Sequence, residues 1–425
     1  MLRQRMIRLF LIATAIGLVL GVPGLVWRLA TGHRAANYGS VVTWGLWVAT
    51  YIYFIGLSAG SFLISSLVFV FDVKRFELIG RLAIMTALVT LVMALVAIGL
   101  DIGHVTRFWH VYVYPNFRSP MAWMIWLYTS YMVLLTGEAY FIMRRDCYDG
   151  RNAPGLRGLV NRLVSRGVRA DEGAEGRARD LRKVKVLASI GVPLAVMFHG
   201  GVGALFGVLA SRPMWHSGLY PVLFLLSAVV SGGAAITLLA WVFLHDHPAL
   251  HETVRALGVV VLGVVIFESF WELAEIGTYM YGGMPSHVAP WKLVMAGPFP
   301  AVFWIGQVVF GSLLPIVLLT LGIRRRHSEL IALGGLSIAV AFLTVRLNMV
   351  IPALSTEEIR GIASAYASPR WVTHYVPSLM EWLVVFFIVG LGGTLFTLGW
   401  QFLPLRVGHE HGGQTPGLAT APAGD

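Results

Sequence analysis

Residues 82–100 read LAIMTALVTLVMALVAIGL, nineteen positions without a single Asp, Glu, Lys or Arg. The hydrocarbon core of a bilayer is about 30 Å thick, so roughly 20 apolar residues cross it as a helix. A helix satisfies every backbone N–H and C=O within its own segment, which lipid demands and an isolated strand cannot achieve. The stretch therefore reads as a membrane span, and the same reading extends from it in both directions.

Ten such windows can be drawn. Residues 9–27, 41–71, 82–100, 186–211, 219–244, 293–323 and 382–403 carry no charge over their cores. Residues 121–143, 253–281 and 330–351 each embed one or more: Glu138 in the first, a carboxylate series in the second, Arg346 in the third. The composition agrees. A chain of 425 residues that is 57% hydrophobic and only 12% charged, with mean hydropathy +0.74, cannot solvate the surface of a soluble enzyme. Its 47 glycines suit helices whose backbones approach closely in lipid. Cys147 is the only cysteine, which excludes an internal disulfide, an iron–sulfur cluster and a Cys-rich zinc site held by this chain.

A formal charge of +11 would suit a nucleic-acid partner, but its distribution points elsewhere. Outside the spans, 23 Lys and Arg fall on the side of the N-terminus and 8 on the other. The positive-inside bias makes both termini cytoplasmic, in an inner membrane, and explains the charge without nucleic acid. The opening MLRQRMIRLF resembles the start of a signal peptide, yet the apolar run continues to Trp27, so it reads as a retained first span.

The fold class expected is all-α: a polytopic transmembrane bundle of about ten helices. YIYFIGLSAGSFLI in the second span and YPVLFLLSAVVSGGAAI in the sixth echo one another at an offset of about 170 residues. That echo suggests two related four-helix bundles, 1–143 and 186–323, joined by a basic cytoplasmic linker, 144–185. Two additional spans occupy 324–404, and a Gly-, Ala- and Pro-rich tail, 405–425, is expected to be disordered.

Ionisable side chains at bilayer depth cost about 2.5–3.5 kcal/mol each on insertion scales and so call for a reason. In FESFWELAEIGTYM, residues 267–280, Glu268, Glu272 and Glu275 recur at i, i+4, i+7 and share one helical stripe. With the orientation above, Asp101 and His104 end the third span, His199 lies in the outer part of the fifth, Arg346 in that of the ninth, and Glu381 opens the tenth. They gather in one layer on the periplasmic side. Coupled carboxylates, a His and an Arg in low dielectric suit proton exchange with a small redox molecule entering from lipid. They also suit a structural salt-bridge net in which Arg346 neutralises a glutamate. Glu138 marks a cytoplasmic entrance for protons, or pairs with Arg144 and Arg145. A transmembrane b-type haem needs two deep histidines, and only His199 is deep.

Several segments together carry a family resemblance: GLSAGSF, LDIGHVTRFWHVYVYPNFRSPMAWMIW, MWHSGLYPVLFLLSAVVSG, and HYVPSLMEWLVVFFIVG with FLPL. In order and spacing they resemble the NrfD/PsrC family of membrane quinone-binding subunits. The ten-span length, RLNMVIP and YVPS…E are similar to its HybB/DsrP-like branch. The resemblance implies an integral membrane subunit of a respiratory oxidoreductase that binds menaquinone or another quinone near the periplasmic side, with no haem, iron–sulfur cluster or metal of its own. It implies a ferredoxin-like iron–sulfur subunit as partner, and a further catalytic or cytochrome subunit.

Within the family pattern, Asp101 and the polar residue after it, His104, sit near the quinone or in proton transfer; many members carry Arg at the latter position. The expected quinone site is Asp101, His104, His199 and Glu272. Proton transfer is expected to use Glu138, Glu268, Glu272, Glu275, Arg346 and Glu381. Two other readings stand beside this one: a proton-coupled secondary transporter built from paired bundles, and a scaffold that only anchors a soluble enzyme.

Overall fold

The computed structural model describes residues 2–405, apart from 170–172, 358, 360, 366–367, 369–370 and 372. The tail from 406, expected to be disordered, lies outside the described residues. Among those described, the chain is helical with no strand. In chain order the principal helices are α1 (Leu2–Thr31), α2 (Leu46–Phe69), α3 (Glu77–Asp101), α4 (Pro120–Asp149), a short α5 (Gly155–Val164), α6 (Gly173–Gly207), α7 (Tyr220–Phe243), α8 (Leu250–Gly282), a short α9 (Pro285–Ala296), α10 (Val302–Arg325), α11 (Ser328–Ser355) and α12 (Leu379–Phe402).

Nine of the described helices are long and apolar enough to cross a membrane, so the chain is an integral multi-pass membrane protein. The remaining expected span is also helical, as the 30-residue α4, but its Glu138, Arg144, Arg145 and Asp146 make it less apolar than the rest. Lipid-facing side chains account for the large exposed hydrophobics on α1, α8 and α10, such as Val19, Phe270 and Ile305.

The helices sort by packing into two groups of four. α2, α3, α4 and α6 form one, with α2 against α3 and α6, and α4 against α3 and α6. α7, α8, α10 and α11 form the other, with α7 against α8 and α11, and α10 against α8 and α11. α1 and α12 pair with each other on the outside, against α3 and α7. This grouping is displaced by one helix from the expected boundaries, because the first span packs on the last instead of on its sequence neighbours.

The echoing segments in α2 and α7 are the leading helices of the two groups, and they meet at the seam. Gly60 lies against the Ala228 carbonyl, and a methyl group on Gly232 would stand 2.5 Å from the Gly60 carbonyl carbon. Only hydrogen in place of a side chain permits backbones to touch so closely. Because successive spans alternate in direction, Asp101, His199, Tyr220, Glu275, Gln307, Arg346 and Glu381 all lie toward the end of the bundle opposite the N-terminus.

Candidate functional site

Two polar clusters occupy that end. The larger lies inside the second group. The i, i+4, i+7 spacing brings Glu268, Glu272 and Glu275 onto the inner stripe of α8, each half-buried. They line a cleft of about 650 Å3 with Tyr220, Phe224, Gln307, Arg346 and Asn348. The Gln307 amide donates to Glu272 Oε1. Its own oxygen accepts from Asn348 Nδ2 at 2.6 Å. A carboxylate and two amides from α8, α10 and α11 are thus linked in series.

Gln307 sits in the stretch Val302–Leu313, wound as a π-helix. Its wider turns change which residues face the cleft and recur at functional sites. Arg346 is 4% exposed. It donates to the Ser227 hydroxyl and lies over the Phe224 ring, 4.8 Å from its centroid. No described carboxylate comes within 4.0 Å of it, and its Nε and Glu268 Oε2 are both buried without a hydrogen-bond partner. The salt-bridge net is therefore not formed: arginine and glutamates face one space without closing on each other.

His199 is fully buried in α6, with neither ring nitrogen hydrogen-bonded. Its ring centroid is 5.7 Å from that of Phe224, so one phenyl ring packs against both His199 and Arg346. Gly56 lies beside it, where a methyl would stand at ordinary contact distance, 3.4 Å from His199 Cε1. The glycines after His199 receive α7: a methyl on Gly203 would lie 2.8 Å from the Pro221 backbone.

The second cluster surrounds Asp101, where the end of α3 meets the end of α1 and the loop before α2. Asp101 is half-buried, and its Oδ1 is buried with no partner. Arg28 crosses behind it, donating from Nε to the Leu100 carbonyl at 2.8 Å and from NH2 to that of Ile102 at 3.2 Å. The same NH2 is 2.9 Å from His33 Nε2. His33, Tyr38 and Trp47 pack ring to ring, with centroids 5.5–6.1 Å apart.

The Tyr38 hydroxyl is also buried and lies beside Asp101, close enough to interact with its carboxylate though not in standard hydrogen-bond geometry. Burial, then the Asp101 and Glu381 carboxylates, hold this phenol far above its ordinary pKa, so it remains a hydrogen-bond donor. Burial and the Arg28 charge push His33 below its usual value, which keeps the ring neutral.

The remaining expected residues fall in different places. His104 is exposed, beyond the end of α3, and has no contact with the Asp101 oxygens among the described bonds. Spacing suggested a pair; the chain turns at Ile102, which has an extended backbone, and carries His104 away. Glu381 is fully buried and fully engaged. Its Oε2 accepts from the backbone N–H of Asn37 at 3.1 Å and of Ser378 at 2.9 Å, and Oε1 accepts from the Tyr375 hydroxyl. It closes the capping box that starts α12.

Glu138 is fully buried at the opposite half of α4 with both oxygens unpartnered. It does not pair with Arg144 or Arg145, which both bind Asp180. Sequence reading missed Arg28, His33, Tyr38, Gln307 and Asn348. The last two carried a signal, as uncharged polar residues in otherwise apolar spans.

A carboxylate acceptor and a phenol donor side by side, held apart from standard hydrogen-bond geometry, can turn to a guest that both gives and takes a hydrogen bond. Among the described residues, no group of three or more His, Cys, Asp or Glu side chains is placed to hold a metal ion.

Comparison with known proteins adds independent findings. The family model described as polysulphide reductase, NrfD matches residues 35–358. A subunit of the selenate reductase of Mesobacillus selenatarsenatis is 35% identical, over 94% of this sequence and 95% of its own. The integral membrane subunit of an Hdr-like menaquinol oxidoreductase from Archaeoglobus fulgidus is 26% identical, over 86% and 85%. A subunit of the polysulfide reductase of Wolinella succinogenes is 25% identical, over 73% and 93%.

Proposed function

The chain belongs to the NrfD family of polysulphide-reductase-type membrane subunits, and on that premise we propose that it is the quinone-reactive subunit of a respiratory oxidoreductase complex. The observation that carries the proposal is the buried Asp101 carboxylate with the Tyr38 hydroxyl beside it, neither in a hydrogen bond of standard geometry. Menaquinone is the favoured ligand, since the Archaeoglobus relative is named for menaquinol. A quinone supplies a two-electron, two-proton couple.

Around that couple the protein's own groups have distinct tasks. Tyr38 donates to a carbonyl oxygen, and Asp101 takes up or returns a proton at Oδ1. Arg28, fixed on two backbone carbonyls, offsets the carboxylate charge from behind. His104, on the exposed rim, exchanges the proton with water. Glu272, with Gln307 and Asn348, and His199, across Phe224 from Arg346, form the inner polar face toward which Glu268 and Glu275 project. With Glu138 in the other half, these groups make up a route for protons.

In this reading the protein holds no redox centre of its own, so electrons leave on the side where the quinone sits. A ferredoxin-like iron–sulfur subunit on the periplasmic face would receive or deliver them, joined to a further catalytic or cytochrome subunit. The exposed aromatics Phe108, Trp109, Tyr114 and Phe117, beside Asp101, offer it an apolar landing surface. Both termini are cytoplasmic in this reading, and the membrane is the inner one.

Asp101→Asn tests the proposal. The variant should assemble with its partner subunits and lose quinol-dependent turnover by about 10²–10⁴-fold, the usual contribution of a positioned acid or base. Turnover close to the parent's in an assembled Asp101→Asn complex would refute it.

A further inference from the structure

The cleft in the second group has a side entrance, because α8 leaves the bundle partway along its length. The buried residues of α8 run from Leu250 to Val265, and none of 266–282 is buried. At the inner end the helices touch, since a methyl on Gly258 would stand 2.7 Å from Ile331 Cγ2. Further out α8 parts from α10: it packs on Leu314–Arg325 and little on the π-helical Val302–Leu313. The outer turns of α8, with Glu268, Glu272 and Glu275 on their inner stripe, thus form one wall of a space of about 650 Å3 that opens between α8 and α10 at bilayer depth.

Two buried donors line this space. Arg346 is 4% and Trp291 6% exposed, and neither Arg346 Nε nor Trp291 Nε1 makes a hydrogen bond of standard geometry. Trp291 is brought there by the short helix α9, which packs on α8 and α11. Acceptors stand opposite: Glu268 Oε2, buried and likewise outside any hydrogen bond of standard geometry, and the half-buried Glu272 and Glu275. Between them the walls are apolar or aromatic, as at Leu223, Phe224, Val345 and Met349. A volume of this size, apolar with a few convergent polar groups, is the usual form of a site for a small organic ligand.

Donors and acceptors together select the guest. A phosphate headgroup would meet three carboxylates against one arginine among the described lining residues. An oxidised quinone has acceptors only, so it could answer the two N–H groups but not the carboxylates. A hydroquinone has two hydroxyls, each able to take a hydrogen bond from a buried N–H and to give one to a carboxylate. Its flat ring suits the aromatic walls, and its isoprenoid tail suits the gap between α8 and α10. We infer that this cleft is a second site, apart from Asp101, that holds a hydroquinone in preference to its oxidised form. The inference concerns binding alone and invokes no electron transfer at the cleft. It rests on the quinone reading for the class of ligand, but on none of Asp101, Tyr38 and Arg28.

Photolabelling of the full-length protein in detergent tests it, using a menaquinol analogue with a diazirine at the ring end of its tail, followed by peptide mapping. Peptides covering 266–282 and 302–313 should take up label that excess menaquinol-4 suppresses, about tenfold more from the reduced analogue than from the oxidised one. Val345→Trp, which fills the cleft, should abolish that label and spare the label near Asp101. Trp291→Phe, which removes one N–H and keeps an aromatic ring, should lower it about fivefold. Absence of suppressible label from 266–282 and 302–313 in the parent overturns the inference, as does equal labelling by both redox forms or label that survives Val345→Trp unchanged. If Val345→Trp fails to accumulate, Trp291→Phe decides, and unchanged labelling there sinks the proposal. Label in the cleft with none near Asp101 sustains this inference and refutes the quinone reading at Asp101; the converse refutes this inference alone.

Discussion

Glu381→Gln separates a group that holds the structure from one that moves protons. The parent carboxylate is fully buried and takes three hydrogen bonds, two from backbone N–H groups and one from Tyr375. The Tyr375 hydroxyl in turn accepts from the Leu46 N–H at 2.8 Å. An amide has one acceptor oxygen. Turned the less costly way, it keeps Asn37 and Ser378 on that oxygen and points its NH2 at a hydroxyl that already accepts from Leu46.

One hydrogen bond to a charged group is then lost, about 1.5–3 kcal/mol, and the other two fall from charge-assisted to neutral strength, roughly 1 kcal/mol each. The loss of stability should be about 3–5 kcal/mol. Unfolding in mixed micelles under a denaturing-detergent titration reads it. Asp101→Asn is the matched control: Oδ1 there takes no hydrogen bond of standard geometry, so its stability should change by less than about 1 kcal/mol. Parent-like stability in Glu381→Gln together with impaired turnover would refute the anchoring role and return the residue to proton transfer.

Other outcomes follow from the same packing. Gly60→Val drives two methyl groups into the Ala228 carbonyl, where no flexible side chain can yield, and should cost about 1–3 kcal/mol or more in the same unfolding assay. Gln307→Leu breaks both links of the Glu272–Gln307–Asn348 series and takes these partners from the half-buried Glu272 and the buried Asn348. It should lower turnover at least about tenfold if protons use that series, and equal turnover would detach the cleft from the reaction.

His33 supplies the pH dependence. Its folded-state pKa is depressed by burial and Arg28, so the unfolded protein binds the proton first as pH falls through about 6.5. Stability should therefore drop on acidification below that point, and His33→Gln should flatten the drop. An identical acid limb in both proteins would remove His33 as its source.

The spans were readable because lipid imposes a length and a composition on each segment separately. The Glu268, Glu272 and Glu275 stripe was readable for the same local reason, and all three line one cleft. Pairings between distant segments left no such mark. Arg28 counted only as a topological charge, yet its guanidinium reaches carbonyls 72 and 74 residues away. Asp180 looked like one acid in a basic linker, and it takes both arginines that could have met Glu138. The echo in LSA and its small residues suggested two groups of helices, but which helices pack together was not legible in it. Which helices share a group depends on α1 finding α12, a contact between opposite ends of the sequence.

The glycine seam sets how this molecule can move. Where Gly60 and Gly232 let two main chains lie in contact, there are no side chains to slide over one another or to re-interlock in a second arrangement. At the end of the bundle opposite the N-terminus, Trp215 Nε1 donates to the Met349 carbonyl at 2.8 Å, and Arg212 donates to Ala353 and Thr356 at 3.1 Å, tying the segment between α6 and α7 to α11. Rocking of the two halves as rigid bodies, the motion on which an alternating-access carrier depends, would have to break these contacts. Of the helices that line the cleft, α8 and α10 are the least buried spans of their group and have the fewest such contacts to give up.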